Sequence, residues 1–212
     1  MLISKPEMKR MFHKVAELWT ENKDTLSQID SKFGDGDHGV TIGKIAVLIE
    51  KKLAEWEEES IASFIMDLGD ETMEIGGGSA GPLYGTMIGG MGEALEDMEA
   101  IDEKGLILML KGSLEAMEDI TTAKVGDKTM MDALIPAVEA AAAAEGDIAA
   151  ILTAAKEAAV SGAKESEQYI SKFGRARSYK EQTIGTPDAG AVSTSLLFVG
   201  LCDGFLEEKW NG

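Results

Sequence analysis

Three carboxylates, a histidine and three glycines fall within the ten residues Asp30-Ser31-Lys32-Phe33-Gly34-Asp35-Gly36-Asp37-His38-Gly39. Carboxylates crowded this closely repel one another unless a cation holds them. Hard oxygen donors on a short loop suit Mg²⁺ or Ca²⁺. Helix capping would account for one of Asp30, Asp35 and Asp37, but not for all of them.

Better-known loops with similar spelling do not fit. Gly34-x-Gly36-x-x-Gly39 has the letters of a dinucleotide fingerprint. That motif follows a strand, however, and residues 21–33 read as polar and helical. An EF-hand loop counted from Asp30 or Asp35 ends at Thr41 or Ala46, where its closing glutamate is missing. Gly39 and Gly43 stand too close for a P-loop, and Lys44 is followed by Ile45 rather than a hydroxyl residue.

Other segments offer groups that could meet an anion. Gly76-Gly77-Gly78-Ser79-Ala80-Gly81-Pro82 reads as a loop feeding a helix, with small residues that expose backbone N–H donors. As a bare spelling it serves a tight helix–helix turn equally well. Glycine also clusters at 85–92 and 185–190, and these segments are expected to rim the active site. Gly126-Asp127-Lys128-Thr129 opens a helix, with Asp127 or Thr129 as its cap. Lys172 to Lys180 holds two of the three arginines, Arg175 and Arg177, and no acid, which suggests an anion site. Asp188-Ala189-Gly190 could cap the last helix or touch a ligand.

The elements that position these groups are helices. Apolar residues recur at helical spacing along Met8–Trp19, Ile42–Trp56, Ile61–Leu68, Leu83–Met98, Leu106–Met117 and Met130–Val138. Two further helices are expected at Ile148–Ile170 and Ala191–Leu206. Pro6 suits a first turn and Asp102 a cap. The methionines at 87, 91 and 98 are read as core filling, and Ala140 to Ala144 as a closely packed face. No segment alternates as a strand would. The expectation is an all-α protein of about eight helices, forming a single domain over residues 1–212.

A net charge of −18 excludes nucleic acid as a partner, because phosphate polymers reward lysine and arginine. It does not exclude a small phosphate whose charge a metal neutralises. Cys202, the only cysteine, lies in an apolar run and reads as a buried structural thiol, which suits a reducing compartment. Residues 1–10 carry charges where a signal peptide needs an apolar run, and no window is expected to reach membrane-spanning length. The expected location is the cytoplasm, with no membrane partner.

In this order, the aspartate cluster, Gly77-Gly78-Ser79-Ala80-Gly81-Pro82-Leu83-Tyr84-Gly85-Thr86, Gly126-Asp127-Lys128-Thr129-Met130, Gly174-Arg175-Ala176 and Asp188-x-Gly190 resemble the DhaL family, the nucleotide-binding L subunits of dihydroxyacetone kinases. The resemblance covers nearly the whole chain. It implies a barrel or bundle of eight antiparallel helices with the nucleotide and Mg²⁺ at one end. Asp30, Asp35 and Asp37 would hold two Mg²⁺ ions that bridge the phosphates of ADP or ATP. His38, Gly39, Val40, Thr41, Ser79 and Ala80 would line the nucleotide, with Leu83 close by. Thr121 and Met130 would flank the base. Arg175, Asp188, Ala189 and Gly190 would close over the nucleotide, with Arg175 as the catalytic residue.

Two spellings depart from the family pattern: Ala189 stands where proline is frequent, and the usual Ala-Ser order is here Ser79-Ala80. Arg177 has no assigned role. The resemblance further implies that a histidine of a separate K subunit holds the hydroxyketone, so His13 is not expected to do so. The phosphoryl donor is left open between ATP and a phosphotransfer-system phosphocarrier (M subunit). Also open are a related ketotetrose as substrate, a non-catalytic ADP–Mg²⁺-holding regulatory role, and a homodimer. The chemistry required is positioning and charge neutralisation more than a protein base.

Overall fold

A computed structural model describes residues 2–57, 60–95 and 100–207. The α-helices are α1 (Lys5–Asp30), α2 (His38–Glu55), α3 (Ile61–Met73), α4 (Ala80–Glu93), α5 (Glu103–Ile120), α6 (Met131–Ala143), α7 (Ile148–Glu165) and α8 (Ala189–Leu206). Tight 3₁₀ turns at Ser166–Gln168 and Arg175–Thr183 lie on the arm between α7 and α8. The described residues contain no strand, only an isolated bridge between Ile3 and Ile101.

Short connections turn the chain back on itself, so successive helices pack antiparallel. α1 packs on α2, α3 on α4, α4 on α5, α6 on α7 and α7 on α8, and α8 returns to α1 to close the bundle. One apolar core runs through it, with Trp19, Tyr84, Phe12 and Phe198 among its largest fully buried side chains. Met87, Met91 and Cys202 are buried there as expected.

The helices that start at one end, α1, α3, α5 and α7, are all capped by side chains. α1 opens with a capping box in which Glu7 accepts from the Ser4 N–H at 3.1 Å. Ser60, Asp102 and Asp147 cap α3, α5 and α7 by accepting backbone N–H bonds at 3.1, 2.8 and 3.0 Å. At the opposite end α2 and α4 begin without any side-chain cap. Their first N–H donors are left for something else.

Several expected features change. Gly85 to Gly92 do not rim a site; they lie inside α4, where the neighbouring helices approach closely. A Cβ on Gly90 would stand 2.5 Å from the Gly112 carbonyl oxygen of α5, so only glycine fits that contact. α7 stops at Glu165 rather than Ile170, because Ser166 turns inward, fully buried, and Tyr169 is extended. α4 stops at Glu93, and Met98 of its expected stripe lies outside the described residues. In the alanine tract only Ala141 is buried, while Ala142 and Ala143 face solvent. Asp30 belongs to the last turn of α1, so the carboxylate cluster spans a helix end as well as a loop.

α8 also departs from expectation, being long and apolar enough to cross a membrane by length and composition, with mean hydropathy 1.6. It is 67% buried inside the bundle, against α1 and α7, which accounts for its apolarity as core packing.

Candidate functional site

At the end where α2, α4, α6 and α8 begin, a cavity of about 390 Å³ opens. Its wall includes His38 at the start of α2, Ser79 and Ala80 at the start of α4, Met130 before α6, and Asp188 to Gly190 at the start of α8. Leu83, Tyr84 and Phe173 add apolar surface. Helix N-termini carry partial positive charge and free N–H groups, so their convergence makes a receptor for anions.

At the start of α2 this wall meets the aspartates. Asp30, Asp35 and Asp37 each present a carboxylate oxygen within 4.8 Å of the others. Asp30 Oδ2 accepts from the Gly36 N–H at 2.8 Å, which folds the loop around the cluster. Although Asp37 is the N-cap residue of α2, its carboxylate makes no capping bond. Burial pushes the Asp37 carboxyl up, helped by its hydrogen bond with Asp35 and by the charges of Asp35 and Asp30. For Asp35 burial also acts upward, but its hydrogen bond with Asp37 and the charge of Arg175 outweigh it and hold the group below the ordinary value. An all-oxygen set under mutual repulsion suits a hard cation such as Mg²⁺.

Arg175, mostly exposed on the arm before α8, forms an ion pair with Asp35. Nearby, the rings of Phe33 and Tyr179 meet at 5.1 Å and further join the arm to the aspartate loop. Of the basic segment, Arg175 therefore lies against the cluster. Lys172 is instead paired with Asp127, and Arg177 is exposed.

Behind the cavity a buried polar network joins four helices, α1, α2, α4 and α8. His38 Nε2 lies 2.8 Å from Ser193 Oγ. The Tyr84 hydroxyl is 2.6 Å from the same Ser193 Oγ and 2.9 Å from Thr194 Oγ1. Trp19 Nε1 donates to the Ser193 carbonyl at 2.9 Å. Burial pushes the His38 imidazole below its ordinary range, against the pull of Asp30, so the ring is neutral at pH 7. Tyr84, pushed up by burial, stays a phenol. Sequence reading missed Tyr84, Ser193 and Thr194, because their bonds cross between helices far apart in the chain.

Of the residues expected at the nucleotide, the cavity brings together His38, Ser79, Ala80, Leu83, Met130, Arg175, Asp188, Ala189 and Gly190 with all three aspartates. It does not include Gly39, Val40, Thr41 or Thr121. Gly39 backs onto α1, Val40 faces outward, and Thr41 is buried with its hydroxyl donating to the Gly77 carbonyl at 3.0 Å. Thr121 lies at the end of α5, where its hydroxyl accepts from the Ala123 N–H at 3.2 Å. Asp188 caps α8 through the Ala191 N–H at 2.8 Å, and burial pushes its carboxyl up to about 7.

Residues 32–203, from the loop after α1 to the last turn of α8, match the family described as the DAK2 domain. The chain belongs to the DAK2 domain family. It is 33% identical over 189 residues to the Listeria innocua PEP-dependent dihydroxyacetone kinase 1, ADP-binding subunit DhaL, covering 89% of this chain and 91% of that subunit. It is 29% identical over 181 residues to the L-erythrulose kinase of Pectobacterium atrosepticum, covering 83% of this chain but only 31% of that longer enzyme. The crystal structure of the C. freundii dihydroxyacetone kinase in complex with AMP-PNP and Mg²⁺ superposes with a TM-score of 0.69 at 25% identity. That match covers 92% of this DAK2 chain and 33% of the other. The all-α fold is thus shared with one third of that longer kinase.

Proposed function

We propose that this DAK2 protein is the nucleotide-binding L subunit of a dihydroxyacetone kinase, a transferase that moves phosphate to a hydroxyketone held by a separate K subunit. The carrying observation is the joining, at one cavity, of three convergent carboxylates with the starts of α2, α4, α6 and α8. Similarity along nearly the full length of an ADP-binding subunit supports it.

Asp30, Asp35 and Asp37 would hold Mg²⁺, two ions in this reading, which when bound neutralises phosphate charge. The uncapped starts of α2 and α4 present N–H donors to the phosphates, and His38, Ser79 and Ala80 line their path. Leu83 and Met130 supply apolar surface for the base. Thr121 stands at the same end of the bundle, and Gly39, Val40 and Thr41 continue the first turn of α2. Arg175 brings a positive charge to the metal loop, where phosphoryl transfer develops negative charge. Asp188, Ala189 and Gly190 form the opposite wall.

The protein acts as one domain over residues 1–212, in the cytoplasm, with the K subunit as partner. The donor is ATP, or a phosphocarrier M subunit that recharges bound ADP. The similarity to an L-erythrulose kinase favours a ketotetrose as the second substrate to try. Purified chain, a cognate K subunit, Mg²⁺ and dihydroxyacetone should yield the phosphate ester, read by ³¹P NMR. No ester from ATP or from a phosphorylated carrier, with either ketose, would overturn the proposal in favour of a non-catalytic ADP-holding module.

A further inference from the structure

The turn Gly126-Asp127-Lys128-Thr129 is spelled as a helix cap, yet its side chains reach across the cavity wall. Lys128 is only 4% exposed and sits at φ +62°, a conformation that strains a side-chain-bearing residue. Its ammonium donates to the Ser166 carbonyl beyond α7 and to the Thr186 carbonyl just before α8. The Ser166 hydroxyl in turn accepts from the Asp188 N–H at 2.9 Å. Next to Lys128, the Asp127 carbonyl accepts from the Lys172 N–H at 3.1 Å.

One turn is thereby bonded to both ends of the arm that carries Arg175 and Asp188. Asp132 of α6 fixes the turn from within, accepting from the N–H groups of Gly126 and Thr129, each at 2.6 Å. The wall is tight here: a Cβ on Gly190 would stand 3.4 Å from the Met130 nitrogen. A buried ammonium is costly unless hydrogen-bonded and near opposite charge. The two carbonyls supply the bonds, and Asp188, Asp132 and Glu167 supply the charge.

We propose that Lys128 is a positioning residue for the nucleotide: by holding Ser166 and Thr186 it keeps the starts of α6 and α8 together as one wall of the cavity. This rests on the nucleotide-binding reading above. The aspartate cluster stands on the last turn of α1, the loop after it and the N-cap of α2, and Lys128 bonds to none of these elements. Loss of the ammonium should therefore weaken nucleotide binding while sparing the metal loop.

The test compares wild type, Lys128→Met and Ser166→Ala in titrations with Mn²⁺ alone and with Mg²⁺–ADP. Wild type that binds no Mg²⁺–ADP defeats the nucleotide-binding reading itself. With wild type binding, Lys128→Met should raise the Mg²⁺–ADP dissociation constant roughly tenfold or more and leave Mn²⁺ affinity unchanged. Equal Mg²⁺–ADP affinity, or equal losses for Mn²⁺ and Mg²⁺–ADP, would overturn the positioning role. If circular dichroism shows Lys128→Met unfolded, Ser166→Ala decides. It removes the acceptor for the Asp188 N–H, and should show the same selective loss in smaller measure. Unchanged Mg²⁺–ADP affinity in that variant would overturn the proposal.

Discussion

The guanidinium of Arg175 is ion-paired with the carboxylate of Asp35, joining the arm before α8 to the loop between α1 and α2. One of the chain's three arginines thus stands directly against the carboxylate cluster. In the proposed reaction Arg175 stabilises charge on the transferred phosphoryl group, and before nucleotide arrives it competes with metal for Asp35.

Arg175→Gln should act in opposite directions on two measurements. Phosphoryl transfer at saturating nucleotide should fall roughly 10²–10³-fold, the usual scale for losing a transition-state charge partner. Affinity for Mn²⁺ alone should rise, because a repelling cation has gone. Rapid-quench kinetics and Mn²⁺ titration read the two. An unchanged transfer rate would remove Arg175 from catalysis.

Asp188 predicts a pH dependence. Its carboxyl is raised by burial from an ordinary 3.8 to about 7, so the folded chain keeps a proton that the unfolded chain has released. Its contribution to stability is full below about pH 4 and is lost as pH rises through 7. Asp188→Asn keeps an acceptor for the Ala191 N–H and removes the titration. Urea unfolding should show the variant gaining on wild type from pH 5 to pH 8. Parallel profiles would contradict the raised value.

Gly39 of the aspartate motif is required by packing between helices. A Cβ there would stand 1.8 Å from the Lys23 carbonyl oxygen and 2.6 Å from Ser27 Oγ, both on α1. Gly39→Ala must push α2 off α1 and so separate Asp37 from Asp30. Stability should drop by about 1–3 kcal/mol or more, measured by urea unfolding, with metal affinity lost alongside it. A variant as stable as wild type would show that the helix contact is looser than described.

Much of this was legible in the sequence because it is local. The apolar stripes marked the α-helices, and Asp30, Asp35 and Asp37 lie close enough in the chain for the convergence of their carboxylates to be read from it. Helix ends were less legible where a tertiary bond decides them: α7 stops because Ser166 is claimed by Lys128 and Asp188. The glycines of α4 have the same spelling as loop glycines, and only the nearness of Gly112 shows their purpose. The bonds among His38, Ser193 and Tyr84 join α2, α8 and α4, and no local pattern announces such contacts.

The most direct measurement is calorimetric titration of ADP into wild type and Asp35→Asn, each with and without Mg²⁺. The account predicts that wild type binds ADP in a Mg²⁺-dependent manner, and that Asp35→Asn loses this binding while keeping its helical circular dichroism. Equal ADP affinity in both proteins, or binding indifferent to Mg²⁺, would contradict the claim that these carboxylates hold the metal of a nucleotide site.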